Sequence, residues 1–448
     1  MTRFVPSDDL VSWGRVLRAR HEVARPHWRD ELPALLGEGA EAGRKLLAIG
    51  LRRSYGDCGL NPDGAVIDMA ALDRAISFDP ETRLLRAEAG ISLDALLAIL
   101  VPRGFFLPVT PGTRFVTLGG AIANDVHGKN HHRAGTLGRW VRRLGLMRSE
   151  GGTLELGPDD NTGLFAATVG GLGLTGLIAW VEIEVIPIAS ATMEVETIPF
   201  ATLDAFFPLT AESDGAFDYT VAWIDCLARG DARGRGLFSR ARHAAEGPLV
   251  LQKKRPGPTV PLDLPGFALN GLTVKAFNEL CYRNGRRRAG RAAAPYEPFF
   301  YPLDRIGGWS RLYGKRGFYQ YQSVVPPEVA GDATRAMLEA VSAAGEGSFL
   351  AVLKTFGDMP SPGMLSFPRP GTTLALDFAN RGASTLKLMD RLDAIVREAG
   401  GRLYPAKDGR ISAAMFRAGY PNWEDFARHV DPRFSSSFWR RVSQEEGP

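Results

Sequence analysis

A chain of 448 residues is too long for one ordinary domain and points to two. Hydrophobic residues make up 45% and charged residues 23%, a soluble globular balance with enough apolar mass for a full core. The net charge of +4, from 54 basic against 50 acidic residues, suits an anionic ligand, and no aromatic-interleaved basic stripe marks a nucleic-acid partner.

Cys58, Cys226 and Cys281 are odd in number and far apart, which fits neither a disulfide framework nor a zinc spacing and is expected of a reducing compartment. Residues 1–20 mix Asp8, Asp9, Arg15, Arg18 and Arg20 with apolar residues and lack the apolar core of a signal peptide. No uncharged stretch approaches the ~20 residues needed to span a bilayer. A cytoplasmic location, or one peripheral to a membrane, is expected.

In chain order, residues 45–50 (KLLAIG) form a short buried strand that ends in a glycine-rich polar turn, and 65–69 form a second strand. Residues 74–90 predict a hairpin turning at Asp79-Pro80-Glu81-Thr82, with alternating residues on both arms. Ser92 caps an apolar helix over 93–100 that stops at Gly104. Residues 105–109 return as a strand broken by Pro111-Gly112, and a small-residue helix begins at Thr117. Residues 161–169 read as helix, followed by a glycine-rich turn and a long strand over 177–187. Strands in local runs, without strict strand–helix alternation, make the fold class α+β.

A second unit begins near Ile188, with strands over 217–224, 318–325, 348–356 and 372–378 and helices over 329–343 and 384–399. Within it, 253–298 is rich in Pro, Gly and Arg without a clean period. It is expected to be a mobile loop carrying Val260, Leu262, Leu264, Phe267, Leu269 and Leu272. The segment from Gly401 carries a motif of its own.

Five motifs bear on chemistry. Gly171-Leu-Gly-Leu-Thr-Gly176 matches G-x-G-x-x-G, but a helix precedes it and a strand follows. That reverses the order a dinucleotide pyrophosphate needs, so a glycine turn packed close to another ligand is expected. Gly50-Leu-Arg-Arg-Ser-Tyr-Gly-Asp57 is either a plain polar turn or a row of N–H groups, with Ser54 added, that cradles a pyrophosphate. At the start of the next helix, Gly119, Gly120 and Ala121 serve either tight helix packing or a phosphate at the positive end of the dipole.

His127, Lys129, Asn130, His131 and His132 form the fourth motif. His127 and His131 invite a zinc reading, but Gly128 disfavours helix and no cluster supplies a third ligand, so no metal is expected. Hydrogen-bonding imidazoles, or positive groups around an anionic ligand or redox ring, remain. In the fifth, Lys407 beside Asp408 is either a surface pair or a lysine that faces an alcohol and takes its proton. The absence of G-x-S-x-G, a P-loop and H-E-x-x-H removes the common hydrolase and NTPase readings.

Arg53-Ser-Tyr-Gly-Asp57, Gly119-Gly-Ala-Ile-Ala-Asn124, Val126-His-Gly-Lys-Asn-His-His132, Gly170-Gly-Leu-Gly-Leu-Thr-Gly176 and Ala406-Lys-Asp408 occur in that order. Together they resemble the vanillyl-alcohol-oxidase (PCMH-type) FAD flavoproteins, and within these the oxidase subunits of decaprenylphosphoryl-ribose 2′-epimerases. The likeness extends through Tyr219-Thr-Val-Ala-Trp223, Phe300-Tyr-Pro-Leu-Asp304, Tyr319-Gln-Tyr-Gln322, Val352-Leu-Lys-Thr-Phe-Gly357 and Leu365-Ser-Phe-Pro368. The His-Gly-Lys-Asn-His-His run is specific, whereas the glycine turns are not.

The resemblance implies a two-lobed FAD domain over 1–187, completed by 401–448, and an α+β substrate domain with an antiparallel sheet over 188–400. It implies that Arg53, Ser54, Tyr55 and Gly56 hold FAD, with Thr117, Gly119, Gly120, Ala121, Asn124, His127 and Gly128, and further with Gly171, Gly173, Thr175, Gly176, Ile178 and Lys407. Lys129, Trp223, Gln320, Gln322, Lys354, Thr373 and Ala375 would face the sugar, and Lys407, Tyr55 and His127 would carry the chemistry. Arg53 stands where covalently flavinylated relatives carry His, which implies non-covalent FAD. The sequence departs from the pattern at Arg52 for a usual Gly, Thr373 for Asn and Ala375 for Cys. The implied activity is oxidation of a secondary hydroxyl of a lipid-linked sugar, with an NADH-dependent short-chain reductase as partner and peripheral membrane contact. A soluble alditol or aldonolactone oxidase and a non-catalytic flavin- or lipid-binding subunit are the alternatives.

Overall fold

A computed structural model describes residues 3–8, 10–150, 152–251 and 257–444. Strands Val5–Ser7, His21–Ala24, Ala65–Asp68 and Leu46–Ile49 form a four-stranded sheet whose last three strands run parallel. The expected hairpin forms as Ala75–Asp79 and Leu84–Glu88, and it grows into a five-stranded antiparallel sheet with Leu177–Glu184, Val141–Met147 and Thr153–Leu156. Alternate residues of that sheet (Leu85, Ala87, Leu144, Leu146, Val181, Ile183) are buried with Leu93, Leu96, Leu97 and Leu100. Ser92 accepts the Ala95 N–H and so caps the helix Leu93–Leu100.

The rest of the chain builds an eight-stranded antiparallel sheet. Its order is Gly290–Pro295, Thr192–Phe200, Gly236–His243, Tyr219–Ile224, Ala351–Phe356, Gly371–Ala379, Phe318–Val325 and Arg402–Leu403. One face is apolar: Ala222, Ile224, Leu353, Leu374, Leu376, Phe378 and Val325 pack with the inner stripes of helices Ala330–Ala344 and Ala383–Glu398. The other face carries Gln320, Gln322, Lys354 and Asp377 among apolar residues such as Val324 and Phe356.

Where an irregular loop was expected over 253–298, the structure has a helix, Gly271–Arg287, and an edge strand, Gly290–Pro295. Asn270 caps the helix through the Leu272 and Thr273 amides, and the alanine- and arginine-rich strand gains its hydrogen bonds from Thr192–Phe200. Residues 253–256 of that stretch lie outside the described residues. The strand expected over 105–109 contracts to Phe105–Phe106, since Pro108 has no N–H to give a ladder. No helix among the described residues is long and apolar enough to cross a membrane.

The C-terminal segment serves both halves. Arg402–Leu403 extends the large sheet, and residues further on return to the first sheet, where Leu46 bonds Arg433 and Ser435. Between these points 406–408 meets the turn 53–57: the Tyr55 amide donates to the Ala406 carbonyl at 2.9 Å. The Arg441 guanidinium donates to both Asp57 oxygens (2.7 and 3.1 Å) and to Asp408 Oδ2 (3.1 Å). A Cβ on Gly56 would lie 1.4 Å from the Asp408 carbonyl oxygen, so only glycine permits this approach. Gly56→Ala is therefore expected to lower stability by about 1–3 kcal/mol or more, read as a drop in the urea or thermal midpoint. An unchanged midpoint would contradict the packing described.

Candidate active site

Directly opposed residues of antiparallel strands share a face of the sheet. Gln320 opposes Asp377, Gln322 opposes Ala375, Lys354 opposes Thr373, and Val352 opposes both Ala375 and Trp223. Register alone therefore gathers Trp223, Gln320, Gln322, Lys354, Thr373, Ala375 and Asp377 on the face turned away from the two helices. The Trp223 indole N–H donates to the Phe349 carbonyl at 3.0 Å, at one margin of that face.

The stretch from Asn124 to His132 lies over this face. Asp125, at φ +39°, turns the chain, and its buried carboxylate accepts the Gly138 amide (2.8 Å) and the Ser366 hydroxyl. Gln322 Nε2 then sits 3.1 Å from His127 Nε2 and 3.2 Å from Thr373 Oγ1. The imidazole also packs against Phe356 and Tyr404, with ring centroids at 4.8 and 5.4 Å. Burial, then Lys354, His131 and Lys407, hold its pKa well below the usual histidine range, so His127 is neutral. His131 packs on Phe356 at 4.7 Å, and burial lowers its pKa to about 3. His132 instead reaches the Phe217 carbonyl (3.1 Å). His127 and His131 thus share the Phe356 ring while His132 lies apart, and no group of three or more His, Cys, Asp or Glu among the described residues is placed to hold a metal ion.

Three partly buried lysines lie here. Lys407 Nζ lies 4.1 Å from the Tyr55 ring centroid. Burial lowers its pKa to about 8, against the upward pull of Asp377. Lys354 donates to the Gly128 carbonyl (3.3 Å) and is lowered to about 8 by burial and by Lys407. Lys129 donates to the Phe299 carbonyl, stands 4.4 Å from that ring, and is lowered to about 7 by burial and Lys354. Asp377 accepts from Gln320 Nε2 (2.6 Å) and the Tyr313 hydroxyl (3.2 Å). Burial raises its carboxyl to about 7 against the Gln320 bond and the Lys407 charge. Burial and Asp377 raise the Tyr55 phenol as well. Neither Asp377 nor Tyr313 stood out in the sequence.

The three glycine turns adjoin one another beside this cluster. A Cβ on Gly50 would meet Thr117 Oγ1 at 2.0 Å, the Leu172 amide donates to the Ala123 carbonyl at 2.8 Å, and Gly173 comes close to the Ala48 carbonyl. The helix Leu118–Ala123 does not offer an open row of amides, however. Leu118 donates to Ile91, Gly119 to Ala89, and Gly120 to the Thr117 side chain. A Cβ on Gly119 would strike Ala89 at 2.7 Å, so this glycine serves close packing, the simpler of its two readings. Gly171–Gly176 follows the helix Leu164–Thr168 and precedes the strand containing Ile178, with Thr175 bonded to Thr168. Arg53 donates to the Phe115 carbonyl and stacks 3.8 Å over Trp13, and the Ser54 carbonyl accepts the Trp13 amide. Asn124 Oδ1 and His127 Nδ1 are buried with no hydrogen-bond partner in the protein. Those two atoms, between the glycine turns and Lys407, fit the polar edge of a flavin.

These lysines set a pH dependence. An unfolded lysine keeps its proton to about pH 10.4, whereas these three release theirs near pH 7 to 8 on folding. Between those values the unfolded state binds more protons, so stability rises with pH. The cost of burying ammonium groups is present in full below pH 7 and is relieved above it. Asp377 has the opposite sign, but its effect ends near pH 7. The urea midpoint of cofactor-free protein should rise from pH 7 to about pH 8.5, above which the raised Cys58 and Cys226 thiols act in the opposite sense, and Lys354→Met should flatten that rise. Equal slopes in the two proteins would contradict the assignment.

An FAD-binding-domain family model matches residues 21–157. Decaprenylphosphoryl-β-D-ribose oxidase of Mycolicibacterium smegmatis is 39% identical over 97% of this chain and 97% of its own length. L-gulono-1,4-lactone dehydrogenase of Mycobacterium tuberculosis is 30% identical over 39% of this chain and 40% of its own. D-arabinono-1,4-lactone oxidase of Yarrowia lipolytica is 25% identical over 39% of this chain and 34% of its own. The chain is an FAD-dependent oxidoreductase, and it belongs to the family that includes decaprenylphosphoryl-β-D-ribose oxidase.

Proposed function

We propose that this protein oxidises the 2′-hydroxyl of a polyprenyl-phosphoryl ribose to the 2′-ketone, the first half of epimerisation to the arabinose sugar. The observation that carries this reading is the gathering of Gln320, Gln322, Lys354 and Asp377 on one sheet face, with Lys407 stacked on the Tyr55 ring beside them. Similarity to the ribose oxidase spans that sheet, whereas the two lactone enzymes each match only 39% of the chain. In this reading 1–187 and 401–448 hold the cofactor, and 188–400 holds the sugar.

FAD, when bound, supplies the acceptor for the hydride that leaves the sugar carbon. The chain must then remove the hydroxyl proton as the C=O bond forms. His127 is a poor base, because its pKa is far below neutrality and its Nε2 is already engaged by Gln322. Tyr55 is no better, since a phenol raised above its usual range holds its proton. The Lys407 amine, poised near pH 8, takes the proton, and Asp377 stabilises the ammonium that results. Lys354 and Lys129 offer positive charge to the substrate phosphate, while Gln320, Gln322 and Thr373 orient the sugar hydroxyls. His127 and Asn124, through their unsatisfied atoms, meet the flavin.

Lys407→Met should slow flavin reduction by about 10²–10⁴-fold while flavin stays bound; wild-type turnover would remove Lys407 from the chemistry. The flavin itself should pass a filter after denaturation, because Arg53 occupies the covalent position, and colour retained by the polypeptide would reverse that reading.

The G-x-G-x-x-G turn lies between a helix and a strand, the wrong order for NADH, so a separate short-chain reductase is assigned the return of the ketone. With a polyprenyl-phosphoryl ribose the protein alone should yield the 2′-keto sugar, and the epimer only after reductase and NADH are added. Equal oxidation of tail-less pentose phosphate, or of an aldonolactone, would favour a soluble-sugar oxidase instead.

A further inference from the structure

The three most exposed large apolar side chains among the described residues, Leu262, Phe267 and Leu272, lie in one segment. Leu262 is 75% exposed, Phe267 78%, Leu272 80% and Leu280 60%, with Phe277 half exposed beside them. The helix Gly271–Arg287 turns Val274, Asn278 and Tyr282 inward, and Asn278 bonds Asp225 in the interior. Its outer face carries Leu272, Ala276 and Leu280, followed toward the C-terminal end by Arg283 and Arg287. The helix thus buries an asparagine while presenting leucines to solvent, an arrangement that the packing of the fold does not require.

The net charge on this surface is positive, although Arg283 pairs with Glu279 at 2.6 Å. Residues 271–288 carry Lys275, Arg283, Arg286, Arg287 and Arg288 against one acidic residue, Glu279. All five basic residues are exposed. Leucine and phenylalanine beside arginine complement an anionic lipid leaflet, whose phosphates meet the cations as its acyl region takes the apolar groups.

The patch also leads inward. The Phe277 ring stands 5.7 Å from Phe349, Phe349 stacks on Tyr313 at 5.4 Å, and the Tyr313 hydroxyl is 3.2 Å from Asp377. Leu269, Val274 and Phe378 line a small pocket along this run.

We infer that the outer face of Gly271–Arg287, with Leu262 and Phe267, docks on an anionic membrane surface and sets the entrance to the active site at the lipid. The geometry of the patch stands alone; its purpose rests on the lipid-tailed substrate proposed above.

The test is co-sedimentation of the FAD-loaded protein with vesicles of phosphatidylcholine, with and without phosphatidylglycerol. Wild type should bind the anionic vesicles and bind neutral ones on the order of tenfold more weakly. Leu272→Ser with Leu280→Ser, and separately Arg283→Glu with Arg287→Glu, should each lose that binding while retaining the wild-type circular dichroism spectrum. Binding by both variants at the wild-type level overturns the inference, as does a wild type that ignores anionic vesicles. Conversion of a wild-type dimer to monomers by the leucine variant, without vesicle binding, would make this face an interface between copies and equally overturn it. Oxidation of detergent-dispersed polyprenyl-phosphoryl ribose is measured in parallel. A protein that oxidises it but ignores vesicles keeps its function and loses the docking surface; one that binds vesicles but leaves the sugar untouched does the reverse.

Discussion

The close approach of the turn 53–57 to the segment 406–408 is the constraint on which the site depends. Residues more than 350 positions apart in sequence come within bonding distance because Gly56 has no side chain and because one guanidinium satisfies Asp57 and Asp408 together. Two nearby carboxylates would repel each other, and Arg441 turns that repulsion into a three-residue clamp. Tyr55 and Lys407, which flank the clamp, are thereby stacked and aimed at the face of the large sheet that carries Gln320 and Asp377. Loosening the contact would disturb the cofactor side and the proton-transfer side at once.

The second feature is electrostatic. Lys129, Lys354 and Lys407 are partly buried, and the fully buried Asp377 carboxylate raises the Lys407 pKa against its desolvation. Such a cluster is unfavourable in an empty protein and becomes favourable when an anionic ligand arrives. The same environment brings lysine and aspartate toward a common value near neutrality, so that a neutral amine is available to take the alcohol's proton as the hydride leaves. The neutral histidines beside them add hydrogen-bonding capacity without adding charge.

Local signals made much of the first half of the chain legible. The hairpin of 74–90, the Ser92 cap and the helix it starts follow from alternation, turn chemistry and capping, which act over a few residues. The long partnerships were not legible in the same way. Strand Gly236–His243 hides behind Arg240 and Arg242, whose charges are met across the sheet by Glu196 and Glu194. Helix Gly271–Arg287 escapes because its leucines lie on the face opposite the buried one, which breaks the expected period. Motif residues such as His127, Gln322, Lys354 and Lys407 were recognisable by resemblance, and the structure brings them together. Asp377 was missed because it sits in an apolar run and acquires meaning only through its register with Gln320. The helix-start glycines looked like a phosphate cradle, yet the amides of Leu118, Gly119 and Gly120 are bonded within the protein.

The proton-transfer role of Lys407 and Asp377 is the central claim, and single-turnover flavin reduction by a polyprenyl-phosphoryl ribose, followed anaerobically against pH, tests it most directly. The rate should rise through an apparent pKa near 8 as the Lys407 amine loses its proton. Asp377→Asn, which removes the charge that holds that proton, should move the rise to lower pH. A rate independent of pH, or a rise that stays in place in the Asp377 variant, would contradict the account.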